Sequence, residues 1–176
     1  MAHVRQQIRD RVATTLTTAV TLVSSRVYTT RVHPLNEALL PAISVYTGSE
    51  SSERYQAGVT DMNRELSLEI DVYVRETSTF DDDCDAIAVQ VEEAMAGDFT
   101  INGLAKSSVL TSTEIQFDGE ADQILGVAKL TYQVRYVTAI NVVETAKYRS
   151  FNYGYTFRIR RQREVSNFWW FRRSSW

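Results

Sequence analysis

The sequence contains little cysteine, histidine, proline and glycine, and each shortage excludes a class of protein. Its 176 residues include one cysteine, Cys84, which has no partner for an internal disulfide, so nothing points to an oxidising compartment. Seven glycines and two prolines are too few for a collagen-like or linker-like chain. No run of about 18 apolar residues is present, and the N-terminus lacks the apolar stretch of a signal peptide. We therefore expect a soluble protein that is made and assembled in the cytoplasm.

Charged and aromatic residues are distributed unevenly along the chain. The net charge is -3, but residues 140–176 contain eight basic and two acidic residues, so this segment carries +6 and the first 139 residues carry -9. The same segment holds ten of the 19 aromatic residues, including all three tryptophans. Such a split indicates that the C-terminal segment has its own partner. We expect one domain over residues 1–139 and a C-terminal extension over residues 140–176, which we predict to be a docking arm.

Apolar residues at helical spacing predict two helices. Val4, Ile8, Val12, Leu16 and Val20 recur every four residues, which predicts an amphipathic helix over residues 2–18. A second helix is predicted from Ser78 or Thr79, either of which could cap its free amides, to Gly97. Its first turn is acidic, which suits the positive end of the helix dipole. Its predicted apolar face comprises Cys84, Ile87, Ala88, Val91, Ala94 and Met95.

Five strands are predicted in the same part of the chain. Leu66, Leu68, Ile70, Val72 and Val74 alternate with polar residues over residues 64–76, which is typical of a strand with one buried face. The others are predicted over residues 26–30, 42–47, 109–117 and 124–137, with an exposed polar loop over residues 48–58. Strands joined by turns and helices segregated from them predict an α+β fold: a mostly antiparallel sheet with two helices on one face.

Residue patterns that carry catalysis or bind metals are not found. His3 and His33 lie 30 residues apart, and Cys84 falls on the apolar face of a predicted helix, which favours a buried structural thiol over a nucleophile paired with His33. The run Asp81–Asp85 lacks the spacing of a calcium loop, and helix capping explains it without a cation. Glycine-rich phosphate loops are missing too. We expect no enzyme, no catalytic or metal-binding residue and no cofactor.

The C-terminal extension gives the clearest functional signal. Aromatic side chains alternate with polar or basic ones over residues 151–160, and a Phe-Trp-Trp-Phe cluster follows at residues 168–171. Basic and aromatic residues together could bind single-stranded nucleic acid, although the acidic first domain argues against this. Packing within the molecule is a second interpretation. The favoured one is docking on a neighbouring protein, since Trp, Tyr and Arg dominate interface energetics.

Several segments, in order, resemble the tail-terminator family of long-tailed phages, the group of the lambda minor tail protein U. These are residues 26–28 (RVY), 39–47 (LLPAISVYT), the alternating strand 66–74, the acidic-capped helix 81–95, and residues 117–120 (FDGE) leading into 124–136 (ILGVAKLTYQVRY). Together they cover residues 4–138. The resemblance implies a virion subunit of the tail or neck that forms a homo-hexameric ring. The ring ends the polymerisation of the tail tube and provides the surface to which the head attaches.

On this interpretation the partners are a tail-tube ring and a head-completion or stopper protein, with no membrane and with DNA only as the passing genome. We expect ion pairs between subunits from Arg26 and Arg31 to the acidic residues Asp81, Asp82 and Asp83. The residues expected to contact an adjacent ring are Arg158, Arg160, Arg161, Phe168, Trp169, Trp170 and Phe171. The alternatives are another head-tail connector, such as a stopper or tail-tube protein, and a nucleic-acid-binding module that acts through the extension.

Overall fold

The computed structural model describes residues 2–29, 37–55, 60–75, 79–118, 125–140 and 142–146. Two α-helices and six strands account for most of them. The helices are α1 (Val4–Ala19) and α2 (Phe80–Gly97), and short 3-10 helices cover Thr21–Val23 and Glu37–Leu39. The strands are β1 (Val27–Tyr28), β2 (Ala42–Arg54), β3 (Asp61–Arg75), β4 (Ser107–Asp118), β5 (Leu125–Ala139) and β6 (Val142–Ala146).

The strands form one curled sheet in the order β1-β2-β3-β5-β4. β3 and β5 pair along their whole length, from Arg75 opposite Leu125 to Asp61 opposite Ala139. All described pairings are antiparallel except that of β1 with β2. β6 pairs with β5 at Thr138 and Ala139. β3 pairs with the same two residues from the other side of β5, so β6 lies on the side of β5 that β4 occupies. The predicted α+β fold with a mostly antiparallel sheet is confirmed.

Both helices bury the faces that their sequences predict. Val4, Ile8, Val12 and Leu16 of α1 are at most 2% exposed, and the buried residues of α2 complete the same core. The strand residues under them are the alternating apolar set of β3, from Leu66 to Val74, and the matching set of β5, from Ala128 to Tyr136. Phe80, the first residue of α2, lies against Gly126 so closely that a Cβ there would overlap its ring.

The prediction of a loop over residues 48–58 is wrong for residues 48–54. β2 continues to Arg54 and pairs with β3 as far as Met62, so residues 48–54 form one arm of a long hairpin. The arm has no buried apolar residue beyond Tyr46, which explains why its sequence indicates a loop. Gly48 lies beside a register shift, and a Cβ there would overlap the Glu69 carboxylate. Residues 56–59 lie outside the described part.

The sheet extends beyond the boundary expected at residue 139. β6 was not predicted, and its residues belong to the segment assigned to the C-terminal extension. Residues 147–176, including the predicted strand over 151–160 and the aromatic cluster, lie outside the described residues. The extension as a docking arm therefore stays a prediction.

Candidate functional site

The face of the sheet opposite the helices carries three acidic residues of β3. Glu65, Glu69 and Asp71 alternate there with the buried apolar residues. Arg135 Nε lies 2.9 Å from Glu65 Oε1, and Lys129 Nζ lies 3.6 Å from Glu69 Oε2, so two of the three carboxylates have a basic neighbour on β5. These pairs are partly exposed and add little to stability. We refer to this side of the sheet as the open face.

Asp71 is the exception on the open face, because it is only 6% exposed. The Tyr46 hydroxyl donates to Asp71 Oδ2 at 2.5 Å and the Tyr73 hydroxyl to the same oxygen at 3.3 Å. Its other oxygen, Oδ1, is buried and has no hydrogen-bond partner among the described residues. Burial raises the pKa of this carboxyl above its ordinary value, although the bond from Tyr46 opposes the shift. Burial and the Asp71 charge raise the pKa of Tyr73 to about 12.

The open face contains two adjoining cavities of about 380 and 410 Å³, which share Ser51 and Glu65. The larger is lined by residues of β2 and of β4, although β3 and β5 lie between these strands, so the sheet is concave here. The smaller includes Lys106, whose ammonium lies 4.7 Å from the centre of the Tyr55 ring. The described lining residues include no cysteine or histidine. Their hydroxyls, amides and carboxylates suit hydrogen bonding to a polar protein surface better than covalent catalysis.

A polar network on the helix side joins the β2–β3 hairpin to β5 near the closed end of the hairpin. Arg64 donates from Nη1 to Glu50 Oε1 at 2.5 Å and from Nε to Thr138 Oγ1 at 2.9 Å. The Tyr136 hydroxyl donates to Glu50 Oε2 at 2.6 Å. The Arg64 and Glu50 side chains are 14% and 10% exposed, so these charged hydrogen bonds are largely shielded from water. The network holds β2, β3 and β5 together near the end of the sheet at which the hairpin closes.

The two helices present surfaces of opposite charge. α1 carries Arg5, Arg9 and Arg11 against one acid, Asp10. α2 carries six acidic residues and no basic residue. Within the subunit, Arg11 Nη2 of α1 lies 4.0 Å from Oδ2 of Asp98, the residue that follows α2. Val89 is 55% exposed on α2, so the acidic surface has an apolar centre.

The predicted interface residues are only partly within the described chain. Asp81, Asp82 and Asp83 are exposed on the first turn of α2. Arg26 is half-buried, and its Nε donates to the Pro41 carbonyl oxygen at 2.9 Å. The pairing of Arg26 with the three aspartates across subunits stays a prediction. The other predicted residues, Arg31, Arg158, Arg160, Arg161, Phe168, Trp169, Trp170 and Phe171, lie outside the described residues.

The residues considered for chemistry have structural roles where the structure describes them. Cys84 is buried, and burial beside the acidic start of α2 raises the pKa of its thiol to about 11, which disfavours the reactive thiolate. His3 caps α1 by accepting the Arg5 amide at 3.2 Å. Within the described ranges, no cluster of three or more potential metal ligands occurs. None of the described helices is both long and apolar enough to span a membrane.

The cluster of Tyr46, Asp71 and Tyr73 was not predicted from the sequence. Alternation along β3 places Asp71 and Tyr73 on one face, but Tyr46 comes from β2, 25 residues earlier in the chain. The register that places Ser44 opposite Asp71, and Tyr46 opposite Glu69, has no local sequence signal. The sequence offers one relevant signal, a tyrosine (Tyr73) two residues after Asp71 in the same strand. The same pattern fits an exposed pair equally well.

Comparison with known proteins places the chain among phage tail proteins. No curated protein matches it. A chain from the virion of a native gene transfer agent particle is similar, with 15% sequence identity and a TM-score of 0.41, over 72% of this chain and 92% of that one. The family profile of phage minor tail protein U matches residues 3–136, which include both helices and nearly all of β5. The chain therefore belongs to the phage minor tail protein U family and is a structural component of the virion tail or neck.

Proposed function

We propose that this tail protein is a tail terminator that catalyses no reaction and requires no cofactor. In this role it forms a homo-hexameric ring on the head-proximal end of the tail tube. The ring ends polymerisation of the tube and presents a surface to a head-completion or stopper protein. The observation that carries the proposal is the match of residues 3–136 to the minor tail protein U family, the same family that the sequence segments resemble.

The charges of the helix layer support ring formation. In a closed ring larger than a dimer, each subunit presents two different surfaces to its two neighbours. The basic surface of α1 and the acidic surface of α2 are two such surfaces with opposite charge. Attraction between them would favour the head-to-tail arrangement and disfavour a symmetric pairing of like charges. Beside this contact, we propose that Asp81, Asp82 and Asp83 face Arg26 and Arg31 of the next subunit.

The hairpin and the extension supply contacts above and below the ring. The β2–β3 hairpin ends in exposed polar residues and is braced near that end by Arg64 and Glu50, so it suits a rigid contact with the adjacent layer of the tail or neck. We propose that the C-terminal extension docks on an adjacent protein ring through Phe168, Trp169, Trp170 and Phe171. Large aromatic residues of this kind supply much of the binding energy in protein interfaces.

The test is the mass of the purified protein with and without tail tubes. Light scattering should give six times the mass of the 20.1 kDa chain, either in solution or after the protein is recovered from tube ends. Electron microscopy should then show tubes that stop growing when the protein is added. Long filaments of the protein alone would overturn the proposal in favour of a tube protein. A monomer that ignores tubes but binds DNA would favour a nucleic-acid-binding module instead.

A charge reversal tests the subunit contact. Asp82→Lys should lower the fraction of ring by at least about tenfold at low salt, because it places a like charge opposite a basic surface. Glu53→Lys is the matched control, since it makes the same charge change on the exposed hairpin, which faces the next layer in this proposal. Equal ring fractions in the two variants would contradict the role of α2. Circular dichroism must show that both variants are folded.

A further inference from the structure

The two edges of the sheet are protected to different degrees. A free edge presents unpaired amides and carbonyls to other strands, and proteins usually protect it with charged residues, prolines or a short edge strand. On one side the edge is formed by the two-residue β1 and by the part of β2 beyond it, which carries Glu50, Glu53 and Arg54. Large exposed apolar side chains are not found in this stretch of β2.

The β4 edge has less of this protection, since its charged residues are Glu114 and Asp118 alone. β4 is 12 residues long, contains no lysine, arginine or proline, and is regular from Ser112 to Asp118. Among the residues that the structure describes, it pairs with β5 and with no other strand. Val109 and Ile115 are 57% and 41% exposed on it. A long edge strand with exposed apolar side chains is expected to aggregate unless another strand covers it.

The path of the chain at β6 leads toward this edge. β6 runs antiparallel to β5, with Val142 opposite Ala139 and Ala146 opposite Thr138. β4 begins farther along the same side of β5, with Ser107 opposite Arg135. The chain that leaves Ala146 is therefore directed toward the start of β4, about 10 Å away at roughly 3.3 Å per strand residue. Because β4 occupies that position beside β5, a strand that continues in this direction would lie outside β4 and parallel to it.

We propose that residues 151–160 of this chain add as a strand to the free edge of β4 in the same molecule. Residues 147–150 are long enough to cross the spacing of about 4.8 Å between neighbouring strands. The ten residues would span about 33 Å, close to the length of β4. Their aromatic residues alternate with polar and basic ones, as in a strand that covers one apolar face. Their two arginines, Arg158 and Arg160, complement Glu114 of β4, which is exposed.

This arrangement divides the extension into two parts. Residues 151–160 are held on the sheet, which gives Arg158 and Arg160 a position within their own subunit. The aromatic cluster at residues 168–171 is left for the adjacent ring proposed above. The strand addition does not depend on ring formation, because it is proposed for the single chain. A failure of the ring proposal would therefore leave it intact.

Hydrogen exchange followed by mass spectrometry tests the proposal on the full chain and on a chain truncated after Ala146, which retains every described element. Truncation should speed exchange of the β4 amides that point away from β5 by at least about tenfold, since they lose a hydrogen-bonded neighbour. The amides of β3, which lies between two strands, serve as the internal control and should not change. Equal protection of β4 in the two proteins would overturn the proposal.

A proline variant repeats the test without truncation. Tyr155→Pro removes an amide and bends the chain within the segment, so it should reproduce the fast exchange at β4. Ser174→Pro makes the same kind of change outside the segment and should leave β4 protected. If Tyr155→Pro has no effect on β4, the segment does not lie there. Protection that disappears on dilution would place the segment on a neighbouring copy and overturn the same-molecule form.

Limited chymotrypsin digestion tests the same contact through a substitution on β4. Ile115→Lys places a charge on β4, where it disfavours strand addition, and should speed cleavage after Tyr153, Tyr155 and Phe157. Leu22→Lys is the matched control, because it replaces an apolar residue of similar exposure in the 3-10 helix after α1, outside the sheet. Equal cleavage rates in the two variants would contradict the proposal.

Discussion

The two faces of β3 differ in how far they are shielded from water. On the helix side, Leu66, Leu68, Ile70 and Val72 are fully buried under α1 and α2. On the open face no described helix lies over the strand, and most side chains there are partly exposed. Asp71 is nevertheless nearly as buried as the apolar residues on the other side. The comparison shows that a sheet face can hide a charged group locally without a second layer.

The two faces should also differ in what they contribute to stability. Apolar burial on the helix side scales with the area removed from water and accounts for most of the folding free energy. The pairs on the open face are exposed to water and screened by salt, so they contribute little. Substitutions are therefore expected to be costly on the helix side and tolerated on the open face. This difference suits a subunit whose open face adapts to partners.

The largest effect is expected from a truncation on the helix side. Ile70→Ala should lower the free energy of unfolding by about 2–5 kcal/mol, because it leaves a cavity in a fully buried position. The neighbouring Glu69→Ala on the open face should change it by about 1 kcal/mol or less, since the Lys129 pair is partly exposed. Urea unfolding of both variants measures the difference. Similar losses in the two variants would mean that the open face is covered in the free protein.

A smaller effect is expected where the helix layer touches the sheet most closely. Gly126→Ala should lower the free energy of unfolding by about 1–3 kcal/mol, because the new Cβ would overlap the Phe80 ring. Phe80→Leu in the same chain should recover part of this loss, which a double-mutant cycle would report as coupling. Gly97→Ala is the control, since nothing lies within 4 Å of a Cβ at the end of α2. A Gly126→Ala chain as stable as the Gly97→Ala chain would contradict this packing.

The helix side of the molecule was predictable from sequence because its signals are local. Apolar residues every four positions predict α1, and alternation from Leu66 to Val74 predicts β3, since each pattern requires one buried face. The extension of β2 to Arg54 was not predictable in this way. Its residues face water or the polar network of Arg64, so the sequence has no apolar period to reveal the strand.

The open face was less predictable, because its features depend on register between strands. Burial of Asp71 requires Tyr46, which only the pairing of β2 with β3 brings close. The Arg64 network lies on the helix side, but it too depends on register, because it joins residues up to 86 positions apart. β6 is five residues long and lies outside the predicted domain, where no period identifies it. The predicted contacts of the extension fall outside the described residues and remain predictions.

The smallest effect is expected from Asp71, and it appears as a dependence on pH. Burial raises the pKa of this carboxyl in the folded protein, so the folded state holds the proton more tightly than the unfolded state. Between the ordinary carboxyl pKa of about 3.9 and the raised folded value, the free energy of unfolding falls as pH rises. It falls because the unfolded state releases the proton at a lower pH than the folded state. Asp71→Asn removes this contribution. The free energy of unfolding of Asp71→Asn minus that of the unaltered chain should therefore be largest near pH 7. This difference should decline as pH falls toward 4.

The comparison between variants isolates Asp71, because the other carboxylates titrate in both proteins and cancel in the difference. In Asp71→Asn the carbonyl oxygen of the new amide keeps the hydrogen bond from the Tyr46 hydroxyl, so the variant changes the charge with little change in shape. Glu53→Gln is the control, since it makes the same carboxyl-to-amide change at an exposed position. Unfolding in urea at several pH values measures both curves. A flat curve for Asp71→Asn would mean that the carboxylate is solvated in the folded protein, and that the open face is as wet at Asp71 as it is at Glu65.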